Sequence, residues 1–407
     1  MPETFRVGLL GHGTVGSAFE ELLRERADAV AHATGLRPEL TAVLTRSRGT
    51  FEEVLESADL IVEVMGGIEP AREYVLAAMA AGRHVVTANK QLLSQHGEEL
   101  WSAARQHGVQ LRYEASVAGV VPVIRVLNES LGAAHIDRIH GIVNGTTNFI
   151  LTEMTRTGAD FAEVLARAQE LGYAEADPTD DVGGADAAAK MAILARLAFD
   201  TPVGLDDVSY EGITEIRPDD IAYAKELGLS LKLLGVAELR DGGVSVRVFP
   251  CFLYRGHPLA PVEGPFNAVM VEAPTITEVT MSGPGAGGVE TATAVLGDIV
   301  SILSGTAPVH GTSRELPVVR DVASSFYLHL EVADRPGVLA AIADVLGQSG
   351  ISVRSVVQRG MGDEARLIMV MHETPESAFY GALDEIGRLD FMRATPRAIR
   401  VIEEEFV

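Results

Sequence analysis

Residues 5–10, Phe-Arg-Val-Gly-Leu-Leu, form a short run apolar enough for a buried strand, and they lead directly into Gly11-His12-Gly13-Thr14-Val15-Gly16. The residues that follow read as a helix to about Ala27. A G-x-G-x-x-G turn between a strand and a helix admits few folds, because each glycine has its own task. Gly11 permits the tight turn, Gly13 lets backbone approach a pyrophosphate, and Gly16 lets helix and strand pack closely. Thr14 and Val15 open the helix, whose first amides point at an anion. Further apolar strands at 40–44, 60–64 and 84–87 continue an alternating strand and helix series. A Rossmann-type dinucleotide-binding domain over residues 1–124 follows from that rhythm.

The end of the second strand speaks to the choice of dinucleotide. An NAD-type unit places an acidic residue there to bind the ribose hydroxyls, whereas this strand ends Leu44-Thr45-Arg46-Ser47-Arg48. Arg46 and Arg48 are suited to clamp a 2′-phosphate, so NADP(H) is the favoured cofactor and NAD(H) the second choice.

The chain's 407 residues are enough for two or three domains, and a formal charge of −24 argues against nucleic acid or an anionic membrane as partner. Residues 5–10 are too short a run for a signal peptide and no stretch is long enough to span a bilayer. Cys251 is the only cysteine, which excludes an intrachain disulfide and fits a reducing cytoplasm. It reads as a small buried hydrophobe within Val248-Phe249-Pro250-Cys251-Phe252.

Chemistry concentrates between Gly172 and Lys190, where five carboxylates and one lysine surround a loop that opens a helix. Asp186 and Lys190 are four residues apart and share a helical face, so cation and anion can be fixed together in a cleft. Such a pair can bind an amino acid and move a proton; the plain alternative is a capped helix start with one surface ion pair. Thr87-Ala88-Asn89-Lys90 ends a strand at the edge where ligands bind in open α/β sheets. In Tyr113-Glu114-Ala115-Ser116-Val117-Ala118-Gly119-Val120-Val121-Pro122, carbonyls of a loop rich in small residues can coordinate a hard monovalent ion beside one carboxylate. Asn144-Gly145-Thr146-Thr147-Asn148 joins a strand to a helix and can donate side-chain and backbone hydrogen bonds, though an ordinary cap explains it equally well.

Taken together, Gly11–Gly16, Thr87–Lys90, Tyr113–Ala115, Asn144–Asn148, the segment 172–190 and His257-Pro258-Leu259-Ala260 resemble the homoserine dehydrogenase family over essentially the whole chain. The block order matches its monofunctional form, which starts at the nucleotide-binding strand with no aspartate kinase ahead of it. The resemblance implies reversible reduction of aspartate 4-semialdehyde to homoserine. It assigns Lys190 as proton donor and Asp186 as the residue that binds substrate and sets the lysine. Glu175 would meet the amino acid end of the substrate, helped by Asp181, Tyr173 and Thr146. Gly172, Ser116, Lys90 and Gly287 would neighbour the cofactor, and a sodium ion would sit on the carbonyls of Glu114, Val117, Gly119 and Val121. A helix near 287–305 would return to the nucleotide domain.

Residues 125–320 are expected to form a substrate and dimerisation domain with an open mixed sheet, including a hairpin of 231–239 and 244–248 turned at Asp241-Gly242-Gly243. His257 reads as a turn residue, since no second histidine or cysteine lies at ligand spacing. From residue 325 to 407 the order of strands and helices is β-α-β-β-α-β, a ferredoxin-like unit, and Asp334-Arg335-Pro336-Gly337-Val338 at its first turn resembles the ACT family of amino-acid-sensing domains. That resemblance implies threonine binding near Asp334, Gly337 and Gln358, ACT–ACT contacts in a homodimer or homotetramer, and a unit that can be deleted without loss of catalysis. The rival readings are a related amino-acid dehydrogenase and a non-catalytic dinucleotide or amino-acid sensor. The sensor has no need of Asp186 and Lys190.

Overall fold

The computed structural model describes residues 2–307, 314–360 and 365–402; residues 403–407 of the C-terminal unit lie outside the described residues, as do 361–364. The chain opens with β1 (Glu3–Leu10), α1 (Thr14–Thr34), β2 (Leu36–Leu44), α2 (Phe51–Ser57), β3 (Leu60–Glu63), α3 (Ala71–Ala80), β4 (His84–Thr87), α4 (Lys90–His107) and β5 (Leu111–Arg112). These strands form a parallel sheet in the order β2-β1-β3-β4-β5, so the chain reverses direction across the sheet between β1 and β3. Crevices at such reversals, outside the carboxyl ends of the strands, are where open α/β sheets bind ligands. Helix α1 runs past Ala27 because its buried stripe of Phe19, Leu23, Ala27 and Val30 continues, and it stops where Gly35 takes up φ +81° and returns its N–H to Ala31.

Residues beyond the nucleotide sheet form α5 (Val123–Arg125), β6 (Arg138–Ile142), α6 (Gly145–Thr157), α7 (Phe161–Glu170), α8 (Thr179–Val182), α9 (Ala185–Phe199), β7 (Ser209–Tyr210) and α10 (Pro218–Glu226). The hairpin follows as β8 (Leu229–Arg240) and β9 (Gly243–Tyr254), longer at both ends than its sequence cue, then β10 (Phe266–Ala273), β11 (Thr277–Pro284) and α11 (Gly288–Leu303). Helix α11 returns to α1, where Ala292, Val295 and Ile299 share a core with Phe19 and Leu23. Helix α9 lies against β8 and β9, and its approach is close: a Cβ on Gly235 would stand 2.3 Å from Met191 Cγ. Glycine in the strand therefore sets how deep the helix carrying Asp186 and Lys190 can sit.

The C-terminal unit comprises β12 (Ala323–Val332), α12 (Val338–Gln348), β13 (Val353–Arg359), β14 (Ala365–Met371), β15 (Thr374–Pro375), α13 (Glu376–Gly387) and β16 (Arg397–Ile402). It does not stand apart. Strand β16 pairs in parallel with β9, Arg400 opposite Cys251 and Ile402 opposite Leu253, so one sheet runs β11-β10-β6-β8-β9-β16-β12-β14-β13. Its two ends carry helices on opposite faces. Phe326, Leu328 and Leu330 pack with Ile342 and Phe379 from α12 and α13, whereas Tyr327, Ile399 and Val401 join the core that α9 and α10 share with β9. The junction is also ionic: Glu376 accepts from Arg247 of β9 at 2.9 Å and from Arg400 of β16 at 2.7 Å.

Candidate active site

Between the carboxyl ends of the nucleotide-sheet strands and α9 lies a cleft of about 320 Å³, with Val15, Gly66, Lys90, Ser116, Gly119 and Lys190 on its walls. Gly11 has φ +98°, and a Cβ there would be 2.7 Å from the Val64 carbonyl oxygen; one on Gly16 would be 2.2 Å from the Gly11 carbonyl oxygen. Nothing lies within 4 Å of the same position on Gly13, so backbone is open to a ligand there. No side chain caps the start of α1 at Gly13, which leaves amides of Thr14 and its neighbours for a phosphate. These features fit a dinucleotide. The Gly11 N–H donates to the Leu44 carbonyl, which brings the end of β2 beside the glycine turn. Arg46 and Arg48 are exposed there, in a turn closed by Thr45 N–H on the Arg48 carbonyl, and neither has a carboxylate partner among the described residues.

Asp186, in the first turn of α9, is the centre of the polar cluster. Its Oδ2 accepts from Lys190 Nζ at 2.8 Å, and its Oδ1 lies 2.5 Å from Lys90 Nζ at the start of α4. Lys190 Nζ also donates to the Val143 carbonyl at 2.8 Å. Burial by itself raises the Asp186 carboxyl, but Lys190 and Lys90 overcome that and hold it well below the usual carboxylate range. Burial lowers the Lys90 ammonium, and Asp186 more than restores it, with Asp181 and Asp180 adding to the effect. Asp181 is pushed the other way, upward, by burial and then by the negative charge of Asp186. Two ammoniums on one carboxylate place cationic donors at the cleft wall, where a developing alkoxide requires one.

Asn144 was legible as a hydrogen-bond donor or as a cap, and it is both. Its Oδ1 caps α6 by accepting from Thr147 N–H at 2.8 Å, while its amide donates to both Asp181 Oδ1 and Asp186 Oδ2 at 2.7 Å. An Asn-Gly-Thr-Thr start looks the same whether or not the amide has such partners, so neither the partners of Asn144 nor the Val143 carbonyl carried a signal of their own. One turn on, Thr146 Oγ1 donates to the Tyr173 carbonyl at 2.7 Å, and Tyr173 packs on Phe149. Glu175 and Gly172 lie exposed in the same loop as Tyr173, and the Glu175 carboxylate makes no hydrogen bond or ion pair with the cluster among the described residues. Ser116 is buried with its hydroxyl on the Tyr113 carbonyl, and Gly287, at φ +140°, leads into α11.

Glu114, Val117, Gly119 and Val121 lie on one tight loop, but the Glu114 carboxylate turns inward. Its oxygens accept from the Ile124 and Arg125 N–H groups, and burial, then Asp298, push its pKa up to about 8. His257, read as lacking a second histidine, has one: His140 Nδ1 is 3.3 Å from His257 Nε2, a contact between β6 and the turn after β9, 117 residues apart. No third ligand joins them among the described residues. In the C-terminal unit Asp334, Gly337 and Gln358 line a cavity of about 440 Å³, with Gln358 Nε2 3.3 Å from Asp334 Oδ1.

Family models describe the same three parts. Homoserine dehydrogenase matches residues 122–300, its NAD binding domain 11–114, and the ACT domain 327–391. The chain belongs to the homoserine dehydrogenase family. The homoserine dehydrogenase of Corynebacterium glutamicum is 43% identical, with 97% of this chain and 95% of that protein covered. A crystal structure of a homoserine dehydrogenase from Thiobacillus denitrificans superposes with a TM-score of 0.94 at 37% identity, covering 98% and 99% of the two chains. A hyperthermophilic archaeal homoserine dehydrogenase in complex with NADPH has a TM-score of 0.66 at 26% identity, covering 75% of this chain and 99% of that one. The protein is an NAD(P)-dependent oxidoreductase acting on a CH–OH group, with homoserine and aspartate 4-semialdehyde as its substrate pair and an ACT domain at its C-terminal end. No helix among the described residues is long and apolar enough to cross a membrane.

Proposed function

We propose that Lys190 is the acid–base residue of this homoserine dehydrogenase and that Asp186, Lys90 and Asn144 hold it to that task. The observation that carries this is the single buried carboxylate of Asp186 shared by two ammoniums at the wall of the dinucleotide cleft. A bound nicotinamide supplies the hydride that reaches the aldehyde carbon. Negative charge then grows on the aldehyde oxygen, and Lys190 Nζ, aimed by its bonds to Asp186 and the Val143 carbonyl, stabilises it and gives up a proton. In the reverse direction the same nitrogen takes the proton of the homoserine hydroxyl. Lys90 shares the positive charge. Glu175 and Asp181, with Tyr173 and Thr146, are suited by charge and hydrogen bonding to the substrate ammonium.

Arg46 and Arg48 support NADP(H) over NAD(H), in keeping with the NADPH complex of the archaeal relative. Sodium would sit on the Glu114, Val117, Gly119 and Val121 carbonyls, although the Glu114 and Val121 oxygens already accept backbone N–H groups of Val117 and Val123. It would neutralise loop dipoles behind the cleft and takes no part in the proton path. Threonine, read by the cavity at Asp334, Gly337 and Gln358, is the proposed inhibitor, acting in a cytoplasmic homodimer or homotetramer joined through the ACT units. The test of activity is the nicotinamide absorbance band: purified protein given homoserine and NADP⁺ should generate it, and silence with both NADP⁺ and NAD⁺ would overturn the reading.

A further inference from the structure

Glu63, the last residue of β3, is completely buried, and nothing in the reaction above uses it. One of its oxygens accepts the Met65 N–H at 2.7 Å and the other accepts the Thr87 hydroxyl at 2.6 Å. Thr87 Oγ1 in turn accepts the Asn89 N–H at 3.0 Å. Asn89 caps α4 by accepting from Leu92 N–H at 3.1 Å, and its amide donates to the Gly67 carbonyl at 2.6 Å. The next residue is Lys90, whose Nζ lies 2.5 Å from Asp186. A carboxyl buried without a cationic partner is unfavourable, and burial accordingly raises this one above its usual range. A valine or isoleucine at the end of β3 would carry no such penalty. What the carboxyl adds is two fixed acceptors, one on the loop at the cleft wall and one on the hydroxyl that orients the α4 cap.

We propose that Glu63 is a positioning residue which, through Thr87 and Asn89, fixes the first turn of α4 and so holds Lys90 against Asp186. The inference rests on the role given to Lys90 above. Glu63→Gln keeps the acceptor for Met65 but turns an amide toward Thr87, whose hydroxyl then lacks its acceptor. Thr87→Val removes the relay from the other side in a shape a strand accepts.

A double-mutant cycle against Lys90→Met tests this, because residues acting through one another are non-additive. With Lys90 present, Glu63→Gln and Thr87→Val should each lower kcat by about tenfold. In the Lys90→Met background each should change it by less than about twofold. A role confined to stability would lower the melting temperature and give equal kcat losses in both backgrounds; equal losses, or none in either, overturn the proposal. Should Glu63→Gln fail to fold, Thr87→Val supplies the same comparison. Wild-type turnover in Lys90→Met alone would instead remove Lys90 from the mechanism, whereas an impaired Lys90→Met with additive Glu63→Gln would defeat only the relay.

Discussion

Lys90 Nζ stands 2.5 Å from Asp186 Oδ1, joining the start of α4 in the nucleotide domain to the start of α9 in the substrate domain across 96 residues of chain. Asp186 is thereby shared between the part of the molecule that holds the dinucleotide and the helix that carries Lys190. The same carboxylate ties the two walls of the cleft together and orients Lys190, the proposed proton donor.

Lys190→Ala should lower turnover by about two to four orders of magnitude, the span of a positioned acid or base, with dinucleotide binding nearly unchanged. Asp186→Asn should approach the same loss, because the amide cannot hold two ammoniums. Steady-state kinetics beside fluorescence titration of NADPH separates the effects. Turnover near wild type in Lys190→Ala removes it from the chemistry.

Arg46→Ala should raise KM for NADP⁺ by about tenfold or more and leave KM for NAD⁺ nearly unchanged, since the 2′-phosphate alone loses a charge-assisted contact. Parallel kinetics with both dinucleotides check this, and equal effects on the two would refute the assignment.

Threonine inhibition should weaken at least about tenfold in Asp334→Ala, because coupling requires tighter binding in the less active state. Point substitution is the sounder test than deleting residues from 325 onward. Strand β16 occupies an inner position of the shared sheet, and its removal would bare β9 and strip Arg247 of Glu376. A wild type indifferent to threonine, or equal inhibition in the variant, would sink the assignment.

Acid lability should arise in part from His257, whose pKa burial lowers to about 4, beside His140, which burial drives well below its usual value. A histidine with a depressed native pKa binds fewer protons folded than unfolded between pH 4 and 6.5, so stability falls as pH drops through that window. The His257 contribution amounts to about 3 kcal/mol at most. His257→Asn, which can still accept from the Leu259 N–H, should flatten the melting temperature over that range. An unchanged slope would show that the pair does not govern it.

Local order made much of this legible in the sequence. Gly11, Gly13 and Gly16 after an apolar strand specify a nucleotide turn because their constraints lie within six residues. Asp186 and Lys190 declare their pairing through the helical repeat alone. The third partner, Lys90, was visible as a strand-end residue that would neighbour the cofactor but not as a partner of Asp186, since nothing local says that α4 and α9 converge on one carboxylate. Likewise Asn144 reads as a cap whether or not Asp181 and Asp186 lie beyond it.

The plainest division falls on β12. Its alternation of Phe326, Leu328 and Leu330 with Tyr327, His329 and Glu331 determines a strand with one apolar face, and the pattern suffices because side chains on a strand repeat every second residue. Only the tertiary structure decided that the other face is buried as well. There His329 sits 3.0 Å from Asp220 of α10, and both side chains are shut from solvent. A polar residue in a strand is read as facing water because an unpaired polar group is costly to bury; its partner arrived from 109 residues away, and the union of two sheets into one likewise rests on a pairing of distant strands, β16 with β9.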